Sequence, residues 1–367
     1  MVALALATTV VTGTAGWASG TAQQALTGPP PGTAAWRADR IPGLELPDPE
    51  RATPAQVHRF FAELTDARQQ DLIARHPLVV GNLDGVPAGL RYRANALALK
   101  ADRDPRYTHL TEAEGGADPE AEAGIGTGAA EAGASSSGAG HRQILAFDPR
   151  GRGQVAEVFG DLHTARHVAV VVPGSDIDAG TFDRTNDVYG TPAGMAKALH
   201  AETGPGTAVI AWAGYTTPVG LGLDAATGSL AEAGADRLAR FVAGLVADGL
   251  PAPTVFCHSY GSVVCGLAAS RLTATDLVVL GSPGMRADDV ADLRTRARVW
   301  AAKDASDWID NVPNIRVAGL GHGPDPAAPE FGARRVPAHD AHGHTGYFAP
   351  GTDSLRAFAA IAEGRAQ

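Results

Sequence analysis

Ser259 stands in the run Phe256-Cys257-His258-Ser259-Tyr260-Gly261-Ser262. A short apolar stretch from Thr254 to Cys257 precedes it, and an Ala-rich helical pattern follows. A serine on a sharp strand-to-helix turn, with glycine two residues on, forms a nucleophile elbow: its hydroxyl is exposed above a parallel sheet. The helix behind it aims its first N–H groups at the reacting centre. A protonated serine hydroxyl is a poor nucleophile, so the chemistry requires a base and a group that orients the base. Two acids, Asp304 and Asp307, follow an apolar run at Arg298–Ala301. Three of the twelve histidines, His339, His342 and His344, crowd a loop near the C-terminus, just before the last helical pattern. Their types and order fit a Ser…Asp…His relay, with Asp304 or Asp307 as acid and His342 or His344 as base.

Cys257 occupies the place where the usual elbow pattern G-x-S-x-G has its first glycine. A small side chain is needed there because the strand end and the helix nearly touch, and cysteine meets that demand. The competing reading is an ordinary strand-to-helix turn. The strand before, the helix after and the downstream acid and histidines favour the catalytic one. His258 adjoins the serine in sequence, but neighbouring elbow side chains diverge, so it is excluded as the base. Cys257 and Cys265 are either two buried thiols or a disulfide. Buried thiols are preferred, since one lies on a strand end and the other well along a helix.

The 367-residue chain holds one large domain or two ordinary ones, and its 44% apolar content is ample for a core. A net charge of −10 without basic clusters makes nucleic acid an unsuitable partner. No cysteine pattern suits a metal, and neither a metal nor another cofactor is expected.

The elements that would position the site begin late in the chain. Residues 1–20 are apolar and small, resembling a secretory h-region with a cleavage site at Gly16-Trp17-Ala18 but without a basic n-region. This favours export or membrane tethering, with a cytoplasmic chain as the alternative, and no stable membrane insertion beyond that segment. Residues 21–110 form a proline-rich lead-in and a helical extension. Thr53-Pro54-Ala55-Gln56 reads as a capping box, Val79–Pro87 as turn-rich, and Asp84 as a partner for Arg91 and Arg93. Residues 111–140 are an acidic Gly/Ala-rich insert with six acidic residues and no Lys or Arg, expected to be disordered. Residues 141–367 alternate strands and helices. A hairpin, Gln143–Phe147 with Gln154–Phe159, leads into apolar strands at His167–Val172, Thr207–Trp212, Thr254–Cys257, Leu277–Leu280 and Arg298–Ala301. Further strands are expected at Arg316–Leu320 and Arg334–Val336, and a second capping box at Ser229–Glu232. The pattern is that of an α/β protein with a mostly parallel sheet covered on both faces.

From about Gln143 onward the chain resembles the α/β-hydrolase superfamily. More narrowly, from about Val80 it is similar to an actinobacterial branch known as a domain of unknown function. The residues that carry this are Gly81-Asn82-Leu83-Asp84-Gly85-Val86-Pro87 with Arg91 and Asn95, His258-Ser259-Tyr260-Gly261-Ser262, Gly281-Ser282-Pro283-Gly284, and Gly343-His344-Thr345-Gly346-Tyr347-Phe348. The resemblance implies the α/β-hydrolase fold and a catalytic set of Ser259, Asp307 and His344. Asp307 matches the family's acid better than Asp304, and His344 its histidine better than His342. It further implies an oxyanion hole from the N–H of Tyr260 and that of Ser175, with Asp176 as alternative, in Pro173-Gly174-Ser175-Asp176. Tyr215, in the loop 214–221, and Asp176 are the candidate substrate-binding residues, with the N-terminal helices as a candidate lid. The expected partner is a small-molecule acyl substrate, cleaved as an ester or related compound. An acyltransferase with the same residues and a catalytically silent binding protein of this fold are the alternatives; oligomeric state is left open.

Overall fold

A computed structural model describes residues 22–112 and 142–366. The expected leader and most of the acidic insert lie outside the described residues. Eight strands form one sheet: β1 (Gln143–Asp148), β2 (Gln154–Phe159), β3 (His167–Val172), β4 (Thr207–Ala213), β5 (Thr254–His258), β6 (Asp276–Leu280), β7 (Arg298–Ala302) and β8 (Arg334–Val336). Their order is β1-β2-β4-β3-β5-β6-β7-β8. β2 runs antiparallel to both neighbours, and every other pairing is parallel. The parallel strands are near-continuous Val, Ile, Leu and Ala because both their faces are covered.

Alternate residues feed two cores. Val170, Ile210, Val255 and Val279 point to one face, under helices Ser229–Ala247 and Gly261–Ala268. Val171, Val209, Phe256 and Val278 point to the other, under helices Pro192–Thr203 and Asp353–Ala362. The five helices before the sheet, α1 (Thr33–Ala38), α2 (Pro54–Ala62), α3 (Asp66–Arg75), α4 (Pro77–Asn82) and α5 (Ala88–Ala101), have their own core around Trp36, Phe61, Leu72 and Val80. They dock on the outer edge of β1. Asn82 gives Nδ2 to Phe147 O (2.6 Å) and takes Phe147 N–H on Oδ1 (3.0 Å), while Asn95 Nδ2 reaches Ile144 O (3.1 Å). Two side-chain amides thereby occupy the backbone groups of an edge strand. The expected lid is corrected by this placement. Three strands separate β1 from β5, roughly 19 Å at the usual strand spacing, so the helices flank the sheet.

The capping box at Thr53 forms, with Thr53 and Gln56 bonded reciprocally. That at Ser229 does not: Ser229 is itself the first helical residue, behind Gly228. The stretch expected to be turn-rich opens inside α4, because Pro77 starts a helix that buries Val79 and Val80. Asp84 pairs with Arg91 (3.4 Å) and Arg240 (3.6 Å), while Arg93 turns to its own helix carbonyl at Gly89. The expected strand at Arg316–Leu320 is a tight turn closed by one bridge, Val317 to Leu320.

Cys257 and Cys265 form a disulfide, against the expectation of free thiols. The elbow reverses the chain, so the helix runs back beside the strand it left. The two Cα atoms come within 6.4 Å, a bridgeable distance. Closing this eight-residue separation restricts the unfolded chain by about 2.5 kcal/mol. Replacing both cysteines with alanine is expected to lower the melting temperature by roughly 5 °C in a thermal scan. An unchanged midpoint would show that the bridge contributes nothing.

Candidate active site

The carboxyl ends of β5, β6 and β7 converge on one place. Ser259 leaves β5 with φ of 53°, a left-handed conformation uncommon outside glycine. Its N–H is held by Leu280 O on β6 (3.0 Å), and its carbonyl takes Ser262 N–H (2.9 Å) as the helix begins. Gly261 is required there. A Cβ on it would lie 2.6 Å from Val172 O and 2.7 Å from Pro173 O, because the helix start abuts the end of β3. Elbow, strain and close approach thus occur together at Ser259.

Of the two acids after β7, Asp307 faces the histidine. Its Oδ1 accepts from His344 Nδ1 (2.8 Å) and Ile309 N–H (2.9 Å), and its Oδ2 accepts from the Tyr347 hydroxyl (2.6 Å). Burial pushes the Asp307 carboxyl up. The His344 bond and charge, with the Tyr347 and Ile309 bonds, outweigh burial and leave it below the usual carboxylate range. Asp304 instead accepts from the Ser306 N–H and hydroxyl, and Ser306 Oγ takes Gly343 N–H (2.8 Å). Asp304 therefore shapes the loop that precedes His344. His342 is exposed, and His339 lies 3.2 Å from Asp353.

A carboxylate on Nδ1 fixes the imidazole proton there and leaves Nε2 as the acceptor a base needs. Nε2 is buried and has no hydrogen-bond partner among the described residues. No hydrogen bond joins it to Ser259 Oγ. Bonds of this kind are often long in a free enzyme and tighten around substrate.

Three residues around this pair have roles that sequence reasoning missed. His258 Nε2 donates to His344 O (2.7 Å), and the two rings lie 4.7 Å apart. It is unfit as a base and holds the His344 backbone in place. Gly281, in the left-handed region at φ 54°, leaves room for the acid–histidine pair: a Cβ there would lie 2.9 Å from Asp307 Oδ2 and 3.1 Å from the His344 ring. Trp308 packs over His344 at 4.4 Å. The signal for Gly281 was present in the quoted Gly281–Gly284 run. His258 and Trp308 each adjoin a candidate residue in sequence.

The turn after β3 lies against the elbow, since a Cβ on Gly174 would be 2.6 Å from Ser259 Cβ. Asp176 N–H is taken by Pro218 O (2.8 Å), which removes the alternative oxyanion donor. No acceptor among the described residues takes the N–H of Ser175 or Tyr260. Asp176 Oδ1 accepts from Gly220 N–H (2.8 Å) and ties this turn to the loop after β4. Tyr215, expected to line a substrate site, is only 2% exposed. Its hydroxyl donates to Pro173 O (2.7 Å) and its ring stacks on Trp212, so it braces the Pro173–Gly174 turn from below.

Burial drives two imidazoles toward the neutral form: His258 down to about 3, helped by His344, and His322 down to about 4. Unfolded, each titrates near the ordinary value of about 6.5. Between these limits the unfolded chain binds more protons, so stability falls as pH drops from about 6.5 toward 4. The melting temperature is expected to decline across that window and to decline less in His322→Gln, whose amide can still donate to Ala225 O. A flat profile in both proteins would contradict this.

The family comparison agrees with the fold. Residues 148–317 match the family described as alpha/beta hydrolase. Two uncharacterized proteins of Mycobacterium tuberculosis, from strains CDC 1551 / Oshkosh and ATCC 25618 / H37Rv, are each 32% identical over 387 residues. The match covers 88% of this chain and 57% of each relative, so the chain spans little more than half their length. Among solved structures, an a/b serine hydrolase without lid from Xanthomonas campestris is 19% identical. It has a TM-score of 0.38 and covers 58% of this chain and 89% of its own. Est1E from Butyrivibrio proteoclasticus is 11% identical with a TM-score of 0.33, covering 61% of this chain and 99% of its own. The eight-stranded sheet with its flanking helices is an α/β fold, and its residues 148–317 are similar to the alpha/beta hydrolase family.

Proposed function

We propose that the protein is a serine hydrolase that cleaves an ester or related acyl substrate through Ser259, His344 and Asp307. The observation that supports this most is the His344 ring: Nδ1 is bound to a buried carboxylate, while Nε2 is buried and free. In this reading His344 Nε2 takes the Ser259 proton as Oγ attacks the substrate carbonyl. Asp307 stabilises the imidazolium that results. The N–H groups of Tyr260 and Ser175 receive the oxyanion. His344 then protonates the leaving group, and the acyl group stays on Oγ. A water, deprotonated by the same Nε2, releases the acid and restores the serine.

The reaction has two chemical steps, so rapid mixing with p-nitrophenyl butanoate should give a burst of nitrophenol close to one equivalent per enzyme. Intact mass should then show one butanoyl group on the wild type and none on Ser259→Ala. Turnover that persists in Ser259→Ala would overturn the assignment.

A further inference from the structure

Eight of the nine large apolar side chains exposed among the described residues lie on loops that follow the carboxyl ends of β3, β4 and β7. Six of them, Val219, Leu221, Leu223, Ile315, Val317 and Leu320, are between 47% and 66% exposed and occupy just two loops. Those loops touch each other and the site. Gly321 N–H reaches Ala226 O (2.9 Å) and His322 Nε2 reaches Ala225 O (2.7 Å), which ties the loop after β7 to that after β4. Gly220 N–H is bound to Asp176, beside the proposed oxyanion donor Ser175. The Tyr260 hydroxyl donates to Thr227 O (3.0 Å), and its ring meets His322 edge-on. The charged side chains in between are turned to backbone: Arg286 Nη2 to Gly319 O (2.9 Å) and Arg316 Nη1 to Arg286 O (2.8 Å). Asn311, Asn314 and part of Arg316 are also exposed on the loop after β7, but the large side chains left outward on both loops are mainly apolar. Exposed apolar side chains gathered beside a reactive centre mark a binding surface, whereas scattered ones need no explanation.

We infer that these two loops seat an extended apolar acyl chain, so that the substrate is a medium- or long-chain acyl ester. This rests on the serine-hydrolase reading above, which places the scissile carbonyl between Ser259 and the N–H groups of Tyr260 and Ser175. A chain leaving that carbonyl meets the loop after β4 through its Asp176 link. Covering half of each methylene multiplies affinity by about two, so the gain builds over six carbons to on the order of 50-fold.

The test measures kcat/KM for p-nitrophenyl decanoate and butanoate, both below their aggregation concentrations. The proteins are the wild type, the pairs Leu221→Ser/Leu223→Ser and Val317→Ser/Leu320→Ser, and Leu97→Ser as an exposed site elsewhere. Circular dichroism verifies folding, and fluorophosphonate labelling follows the serine independently. The wild-type decanoate-to-butanoate ratio is expected near 50. Each loop pair should lower it about fivefold or more, and Leu97→Ser should leave it unchanged. Labelling and turnover with a ratio near one would overturn this inference alone. So would an unchanged ratio in both loop pairs, including the case where those pairs dissolve a dimer seen by sedimentation. A wild type that neither labels nor hydrolyses either ester would overturn the serine-hydrolase reading, and this inference with it.

Discussion

Asp307→Asn is expected to lower kcat/KM for an acyl ester by three to four orders of magnitude, while Asp304→Asn changes it less than tenfold. The asparagine fits the same space. Its oxygen can face His344 Nδ1 and Ile309 N–H, and its NH2 can face Tyr347, whose hydroxyl can turn to accept. In the proposed mechanism, what disappears is the negative charge that stabilises the imidazolium once Nε2 has taken the serine proton. Loss of the corresponding charge and tautomer control in serine proteases costs about 10⁴ in kcat. Asp304 meets Ser306, and through it Gly343, so its removal loosens a loop without removing that charge. Initial rates of the two variants, with melting curves to verify folding, decide between the acids. A larger loss in Asp304→Asn would reverse the assignment.

The second large effect is expected at Gly174. A Cβ there would stand 2.6 Å from Ser259 Cβ and 3.0 Å from Oγ, with His258 O at 3.3 Å. These neighbours cannot yield. Ser259 sits in a strained turn fixed by Leu280 O and Ser262 N–H, and the turn itself is braced by Tyr215 on Pro173 O. In Gly174→Ala the Pro173–Asp176 turn must move off the elbow and carry the Ser175 N–H away from the proposed oxyanion site. Loss of one such donor costs about 10²–10³ in kcat. The loss should fall mainly on kcat, with KM little changed, because the donor acts on charge that develops in the transition state. A wild-type kcat in Gly174→Ala would exclude this turn from the oxyanion site.

The parallel strands and the elbow were legible in the chain because they are local. Runs such as Val168–Val172 are apolar without interruption and mostly β-branched, and Ser259-Tyr260-Gly261 lies between such a run and a helical pattern. The choice between Asp304 and Asp307 was not local. Both lie in one loop three residues apart, and what separates them is Tyr347, forty residues on, whose hydroxyl donates to Asp307 Oδ2 and accepts from Asp304 N–H. Family resemblance pointed to Asp307; composition and spacing alone could not. The disulfide was misread for a similar reason. Strand and helix positions that diverge along the sequence are brought together when the elbow folds the helix back. Tyr215 was misplaced because a tyrosine in a loop at the ligand-binding edge reads as exposed, whereas stacking on Trp212 draws it inward. At Ser229 the sequence pattern of a cap was present, but the helix began one residue too early to use it.

The central claim is that Ser259 is activated by His344 and Asp307. Its most direct test is labelling of the purified protein with a fluorophosphonate probe, with the modified peptide located by mass spectrometry. The expected result is one probe on Ser259, absent from Ser259→Ala and strongly slowed in His344→Ala and Asp307→Asn. A folded wild type that stays unlabelled, or carries the probe on another serine, would contradict it.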